Sequence, residues 1–216
     1  MNKVVQEKMK RLIMVIKNDI LFSESERKDG FYDNGDSLEQ AILNNYEYMM
    51  RGEAEVNYNY KQPIPYGIVI SQDKKIFVYK RGASGSNAGE SRLHSKISFG
   101  VGGHIEEKDQ ENENILLDTL KREIEEEIKI ISEDIINISL LGYINDDTND
   151  VGKVHFGISY IIEVKNTNTS LEDGELANGE FLDINEIEEM MQSEDYDVET
   201  RSKIIYEPLK NFLEIK

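Results

Sequence analysis

The chain of 216 residues contains no cysteine and only three prolines. Without thiols the protein forms no disulfide bond and has no cysteine nucleophile, so its stability and its chemistry depend on other side chains. Two of the prolines, Pro63 and Pro65, lie close together in the chain. Because proline has no backbone N–H, we expect these two residues to end a helical region and to open a strand at the edge of a sheet.

Basic residues are also few, since 25 lysines and arginines stand against 43 acidic residues and give a formal net charge of −18. A general nucleic-acid-binding surface needs a basic footprint, so we expect no nucleic acid partner. An acidic protein that acts on an anionic small molecule needs a cation to offset the repulsion. The charge balance therefore favours a metal-dependent site.

A long hydrophobic run is missing as well. The apolar stretch at residues 12–16 is followed by Lys17 and Asp19, and it is much shorter than the roughly 20 apolar residues that cross a bilayer. No small-residue cleavage site follows it cleanly. We interpret this stretch as the buried stripe of an amphipathic helix over about residues 3–18, and we expect a cytoplasmic protein with no membrane partner.

The length suits one large domain or a core with an extension, and 38% hydrophobic residues suffice for a core. Residues 1–57 are predicted to be a helical extension with a first helix over 3–18 and a second that begins at the capping box Ser37-x-x-Gln40. Alone, this extension would bury little apolar surface. We therefore expect it to pack on the remaining domain, residues 58–216, or on a second copy in a homodimer.

After residue 57, segments whose apolar residues follow the two-residue period of a strand alternate with segments that follow the 3.6-residue period of a helix. Strands are predicted at about 66–70, 75–80, 136–144 and 153–164, and helices at about 113–129, 184–192 and 197–213. Strands, one central helix and later helices together predict an α+β fold, with a mixed sheet between helical layers.

The helix predicted at 113–129 carries an unusual acidic face. Glu123, Glu126 and Glu127 follow Arg122, and their spacing places the three carboxylates on one helical face spread over roughly 100°. Several oxygen ligands of one sign suit Mg²⁺ or Mn²⁺. A separate apolar stripe would dock the helix on a sheet; it consists of Leu117, Leu120, Ile124, Ile128 and Ile131. In a chain this acidic, the alternative is a simply solvated face.

A glycine pair, Gly102 and Gly103, precedes Arg122, which lies 19 positions after Gly103. Together with Arg-Glu-Ile-Glu-Glu-Glu at 122–127, it resembles the box that defines the Nudix hydrolase family. The interval is about five residues longer than the family pattern, and we place the insertion in an acidic loop at 106–113. Asn114 stands where the box has its first glutamate. Lys129 replaces its last glycine, a position that suits a left-handed residue and costs lysine about 1 kcal/mol.

The resemblance covers about residues 55–185 and extends to segments outside the box, which are similar to predicted MutT-like phosphoesterases of the same family. These segments are 61–66, 90–93, 98–105, 142–147 and 151–157. The absence of cysteine separates the chain from isopentenyl diphosphate isomerases, which share the fold and use a cysteine. The resemblance implies an α/β/α sandwich and hydrolysis of a nucleoside diphosphate linked to another group, or of a nucleoside triphosphate.

The resemblance also implies a site. Its metal ligands would be the Gly103 carbonyl, Glu123, Glu126 and Glu127, while Arg122, Glu123 and Glu126 would act in catalysis, with Glu123 a candidate base. Arg122 pairs easily with Glu126 at i to i+4, and an ordinary helix salt bridge is an equal alternative. The glycine pair could equally form only a tight turn.

Substrate-binding candidates are Arg81, Arg92 and His104, although an isolated histidine is more often structural. Acidic residues on a late loop are weaker candidates for the base; they are Glu172, Asp173 and Glu175. An alternative to the enzyme is a Nudix-like module that binds a nucleotide without cutting it, and a third reading is an acidic interaction domain. Three intact helix carboxylates favour the enzyme, and no pattern in the loops identifies the substrate.

Overall fold

A mixed β-sheet lies at the centre of the protein, seen in a computed structural model that describes residues 3–33, 36–82, 96–111, 113–169 and 176–215. Its strands are β1 (Leu12–Lys17), β2 (Gly30–Tyr32), β3 (Glu47–Met50), β4 (Tyr60–Ser71), β5 (Ile76–Arg81), β6 (Ile97–Ser98), β7 (Val101–Gly102), β8 (Ile135–Asn145), β9 (His155–Val164) and β10 (Leu176–Leu182). The helices are α1 (Lys3–Lys8), α2 (Asn18–Leu21), α3 (Asp36–Asn45), α4 (Arg51–Ala54), α5 (Ile115–Ile128), α6 (Ile184–Gln192) and α7 (Thr200–Ile215).

The main strand order is β10-β5-β4-β9-β8-β2, and β1, β6 and β7 join at its margins. The pair β4 and β9 is parallel, whereas the other neighbours are antiparallel. One apolar cluster joins α2, α3 and α5 to one face of the sheet. A second cluster joins α6 and α7 to the other face. The predicted α+β class and the helix–sheet–helix layering are thus confirmed.

The prediction of one helix over residues 3–18 is wrong beyond Lys8, where α1 ends. Residues 12–17 form β1, which pairs with β3 and then with the start of β4. Four consecutive residues, Ile13 to Ile16, are buried, as expected for a strand covered on both faces. A short apolar run fits a buried strand and a buried helix equally well, so periodicity alone could not separate them. The second predicted helix is present as α3, but it begins at Asp36, so Ser37 lies within the helix and the predicted capping box is wrong.

The two prolines do not open an edge strand, because β4 lies between β5 and β9 in the centre of the sheet. Pro63 and Pro65 both face β9 in the parallel register. On its other side, β4 pairs with β1 up to Lys61 and with β7 from Tyr66. The prolines therefore lie between the segments of β4 that pair with β1 and with β7, where the missing backbone N–H of proline is tolerated.

Charged contacts fasten the N-terminal segment to the sheet. Arg27 donates two hydrogen bonds to Asp147, at 2.8 and 2.9 Å, and fully buried Lys61 donates one to the same carboxylate at 2.8 Å. Burial raises the pKa of Asp147, but hydrogen bonds from Arg27, Lys61 and Asn145 outweigh it and hold the pKa below its usual range. The boundary between residues 57 and 58 stays a prediction. No helix in the described ranges is long and apolar enough to cross a membrane.

Candidate active site

Helix α5 presents the acidic face, and both of its ends are well defined. At its N-terminus, the Asn114 side chain accepts a hydrogen bond from the Leu117 N–H at 3.1 Å, which satisfies one of the exposed backbone donors. At its C-terminus, Lys129 adopts the left-handed conformation with φ 60° and ψ 27°. The expectation that lysine takes the conformation of the missing glycine is therefore confirmed.

The apolar side of α5 fixes the direction of the acidic side. Leu120, Ile124 and Ile128 have no exposed surface and pack in the core beneath the sheet. Ile131 is 43% exposed and lies beyond the helix, so its inclusion in the docking stripe was wrong. Leu116, 1% exposed, extends the buried stripe instead.

The guanidinium of Arg122 is the centre of the polar network on α5. Its Nη1 donates to Glu123 at 2.6 Å and to Glu126 at 3.2 Å. Its Nη2 donates to the His104 carbonyl oxygen at 3.3 Å and to Asp109 at 3.2 Å. Burial alone would lower the pKa of Arg122, but the charges of Glu123 and Asp109 raise it above its usual value. One cation thus holds two helix carboxylates against the loop that follows β7.

Glu123 lies directly over Gly103. A methyl group on Gly103 would lie 2.5 Å from the Glu123 carboxyl carbon, so glycine is needed for this approach. The side chain of Glu123 is only 14% exposed. Burial raises the pKa of Glu123, and the adjacent Arg122 opposes that rise.

Glu126 and Glu127 extend the acidic face toward solvent. The Glu126 side chain is 58% exposed, and Glu127 is half-buried. The charge of Glu127 contributes to raising the pKa values of Tyr79 and Arg81, which places it on the side of α5 that faces β5. The fold thus brings together four of the predicted site residues, with Glu127 beside them. These four are Gly103, Arg122, Glu123 and Glu126.

Arg81 is the last residue of β5 and lies close to the acidic face of α5, but its guanidinium already contacts Glu199 and Tyr79. Its Nε lies 3.4 Å from a carboxylate oxygen of Glu199, which is 2% exposed, and its guanidinium lies 5.6 Å from the centre of the Tyr79 ring. Burial raises the pKa of Glu199, but the charges of Arg81 and Arg201, together with hydrogen bonds from Ser98 and Arg81, lower it below its usual value. Arg92 and the late-loop residues Glu172, Asp173 and Glu175 lie outside the described residues.

The His104 side chain contacts residues of β4 and β9 instead of the helix carboxylates. Its Nε2 lies 2.7 Å from Oε1 of Gln62 and 3.3 Å from Nε2 of His155. Burial, aided by the charge of Arg51, lowers the pKa of His104 well below its usual value. Of the described residues, one group of three His, Cys, Asp or Glu side chains has ligand atoms within 4.8 Å of one another, and its members are Glu55, His104 and His155.

Sequence reasoning did not identify Asp109 or Glu199 as partners of the two site arginines. Asp109 lies in the predicted insertion, which forms a 3₁₀ turn over Glu107–Glu111, and its side chain is 5% exposed. Glu199 lies 118 residues from Arg81. In a chain with 43 acidic residues, no local signal separates these two from solvated ones.

A cavity of about 280 Å³ opens between the turn after β8 and the start of α7. Lys96, Glu199, Thr200 and Arg201 line one side of it, and residues 146 and 149–152 line the other. The turn is held by Asx contacts: Asp146 accepts from the Thr148 N–H at 3.0 Å. Such contacts between Asx side chains and nearby backbone N–H groups stabilise turns.

Comparison with known proteins settles the relationship. The family model described as the NUDIX domain matches residues 61–201. The chain belongs to the Nudix family. Protein YmaB of Bacillus subtilis (strain 168) is 38% identical over 190 residues, which cover 84% of this chain and 90% of YmaB.

Solved structures agree with the Nudix assignment. The crystal structure of Tm1382, described as a proposed Nudix hydrolase, has a TM-score of 0.75 and 26% identity, over 93% of this chain and 99% of Tm1382. The NUDIX domain of Shewanella oneidensis NrtR, complexed with ADP ribose, shares the fold with a TM-score of 0.52 and 11% identity, over 71% of this chain and 88% of that one. The family confirms the predicted enzyme class, a pyrophosphohydrolase that acts on acid anhydrides.

Proposed function

We propose that this Nudix enzyme is a metal-dependent hydrolase that cleaves a phosphoanhydride bond in a nucleoside diphosphate derivative or a nucleoside triphosphate. The observation that carries the proposal is the position of Glu123. Its carboxylate is held between Arg122, at 2.6 Å, and Gly103, whose missing side chain leaves the space that the carboxylate occupies. Glu126 shares the same Arg122 nitrogen, so two acidic groups converge beside an exposed edge of α5.

These residues fit a hard divalent cation. Carboxylate and backbone carbonyl oxygens are the ligands that Mg²⁺ and Mn²⁺ prefer, and the proposed set is Glu123, Glu126, Glu127 and the Gly103 carbonyl. When bound, the ion would neutralise phosphate charge and lower the pKa of a bound water. Arg122 would position Glu123 and Glu126, and Glu123, shielded from solvent, is the proposed base.

The substrate would enter beside β5 and the start of α7. We assign Arg81 and, outside the described residues, Arg92 to phosphate binding. His104, whose side chain contacts Gln62 and His155, is given no role in substrate binding. The cavity that contains Lys96 and Arg201 offers room for the rest of the molecule. A distant Nudix domain was crystallised with ADP ribose, which makes that compound a rational first substrate.

The test is a hydrolysis screen of ADP ribose and nucleoside triphosphates with Mg²⁺ or Mn²⁺, repeated with excess chelator. Glu126→Gln removes one exposed carboxylate, so we expect turnover to fall about 100-fold or more and the melting temperature without metal to stay level or rise. Glu125→Gln is the matched control, because Glu125 is exposed on the opposite face and should leave turnover unchanged.

Full turnover in chelator, or an equal loss in both variants, would contradict the proposal.

A second candidate is a module that binds nucleotides without cutting them. It is favoured by Arg122, whose single positive charge is shared by Glu123 and Glu126 and would compete with a metal ion for both carboxylates. Tight ADP ribose binding without hydrolysis under any metal condition would support that second candidate.

A further inference from the structure

Three potential ligand side chains converge next to the Gly103–His104 turn, and none of them is a glutamate of α5. They are Glu55, which follows α4, His104, which follows β7, and His155, the first residue of β9. We propose that they form a second metal site, which takes a divalent transition ion of the Zn²⁺ or Co²⁺ type. This site shares no side chain with the α5 cluster, and the proposal does not depend on which substrate the enzyme hydrolyses.

The orientation of His155 is fixed by its backbone neighbour. Its Nδ1 lies 2.7 Å from the carbonyl oxygen of Val151, and a carbonyl can only accept, so Nδ1 carries the proton. In the neutral ring, Nε2 then carries a lone pair. That lone pair faces His104, since the two Nε2 atoms are 3.3 Å apart. An Nδ1–H bonded to a backbone carbonyl is the usual arrangement of a histidine that binds a metal through Nε2.

The atoms around His104 are mainly acceptors. Besides Nε2 of His155, they include Oε1 of Gln62 at 2.7 Å and Oε1 of Glu55 at 4.0 Å. One N–H on His104 could align well with only one of them. Gln62 is 1% exposed, and its Nε2 is buried with no hydrogen-bond partner in the described part of the chain. That amide nitrogen is a donor, which a cation cannot satisfy, whereas the acceptor atoms that face His104 are positioned to bind one cation together.

The distances favour a transition metal over Mg²⁺. Two nitrogens bound tetrahedrally at about 2.0–2.1 Å from Zn²⁺ lie about 3.3–3.4 Å apart, which agrees with the 3.3 Å between the histidines. The carboxylate oxygen of Glu55 lies 4.0 Å from His104 Nε2, and the ligand atoms of all three side chains lie within 4.8 Å of one another, so Glu55 needs to move inward to complete the site. Imidazole nitrogens suit Zn²⁺, Co²⁺ and Ni²⁺, whereas Mg²⁺ prefers oxygen ligands.

The surroundings would hold the ligands in place. Arg51 donates to Glu55 Oε1 at 3.3 Å, so one oxygen of the carboxylate is oriented although Arg51 also competes for it. Gln62 and His155 are directly paired across β4 and β9. A bound ion would thus join the N-terminal segment, through Glu55, to the centre of the sheet and to the turn that carries Gly103.

The test uses the full chain, stripped with chelator and kept in excess Mg²⁺ so that the α5 carboxylates are occupied. Titration with Co²⁺, followed by visible absorption, should show one equivalent with tetrahedral bands, and Zn²⁺ should displace it. Glu55→Gln should weaken Co²⁺ binding about tenfold or more and reduce the rise in melting temperature that Zn²⁺ produces. The matched control is Glu53→Gln, an exposed residue of α4 two positions before Glu55, which should bind Co²⁺ like the parent protein.

His155→Gln should abolish the bands, with circular dichroism used to check that the variant is folded. If it does not fold, Glu55→Gln against Glu53→Gln still decides the question. Absence of Co²⁺ binding by the parent protein would overturn the proposal. Equal binding by the parent and Glu55→Gln, or bands that respond to Glu126→Gln instead, would overturn it too.

Discussion

At the scale of single residues, the adjacent glycines Gly102 and Gly103 are required for different reasons. A methyl group on Gly103 would meet the flexible end of Glu123, whereas a methyl group on Gly102 would overlap the backbone carbonyl of Pro65. The first neighbour can move and the second cannot, because Pro65 belongs to β4 in the centre of the sheet. A substitution at Gly103 therefore tests the active site, whereas a substitution at Gly102 tests the stability of the fold.

We expect Gly103→Ala to lower turnover at least about tenfold while the free energy of unfolding changes by less than about 1 kcal/mol. Gly102→Ala should instead destabilise the protein, because the strand must shift to admit the new methyl group. Urea denaturation and steady-state kinetics on both variants make the comparison. If Gly103→Ala keeps full activity, the close approach of Glu123 to the turn has no catalytic role.

Lys129 allows a second test at this scale, because it ends α5 with a φ of 60°. Lys129→Gly should stabilise the protein by about 1 kcal/mol, since glycine adopts this conformation without the steric cost. Lys129→Ala keeps the cost and is the control. Both variants lose the hydrogen bond from Nζ to the Glu126 carbonyl oxygen, so the difference between them isolates the backbone effect in a denaturant titration.

At the scale of secondary-structure elements, α5 was predicted best and the N-terminal elements least well. Its acidic and apolar faces follow from helical spacing, which is a local property of the sequence. The assignment of residues 12–17 failed because a run of this length fits two structures, and only pairing with β3 and β4 decides between them. The cluster of Glu55, His104 and His155 could not be predicted, since strand pairing between residues far apart in the chain creates it.

The docking of α5 predicts how its apolar side responds to substitution. Ile124→Ala should destabilise the protein by about 2–5 kcal/mol, because a fully buried side chain leaves a cavity. Ile131→Ala should cost less than about 1 kcal/mol, because Ile131 is 43% exposed. Equal losses in chemical denaturation would mean that the helix is rotated from the position described above.

At the scale of the whole molecule, the first 57 residues are part of the folded unit and not a separate layer. β1 pairs with β4, β2 pairs with β8, and the Met14 N–H donates to the Ile105 carbonyl oxygen at 2.8 Å. The same apolar cluster contains residues of α2, α3 and α5. The sequence predicted that this segment packs on the core, but not that it adds strands to the sheet.

A fragment spanning residues 58–216 should therefore fail to unfold cooperatively, because it loses strand partners on β4 and β8 and exposes buried apolar surface. A fragment spanning 12–216, which keeps β1, is the control and should retain a cooperative melt. Circular dichroism during heating compares the two. Cooperative melting of both would show that residues 58–216 form an independent domain.

Acid should weaken the attachment of this segment through Asp147. Its folded-state pKa lies below its usual value, so its contribution to stability is present above about pH 4 and is lost as the pH falls toward the folded pKa. Asp147→Asn should be less stable than the parent protein near pH 7, and the difference should shrink near pH 3. Urea denaturation at both pH values measures this, and a difference independent of pH would contradict the assigned role.

The parallel pairing of β4 with β9 also has a consequence for folding kinetics. Gln62 pairs with His155, which lies 93 residues later in the chain, so the centre of the sheet closes only after most of the chain has left the ribosome. The conformational entropy of this long loop is lost before the stabilising contacts between β4 and β9 have formed. Until then β4 presents an unpaired apolar edge. We therefore expect slow folding whose rate is limited by the capture of β9, and a nascent chain that is prone to aggregation before residue 164 has emerged.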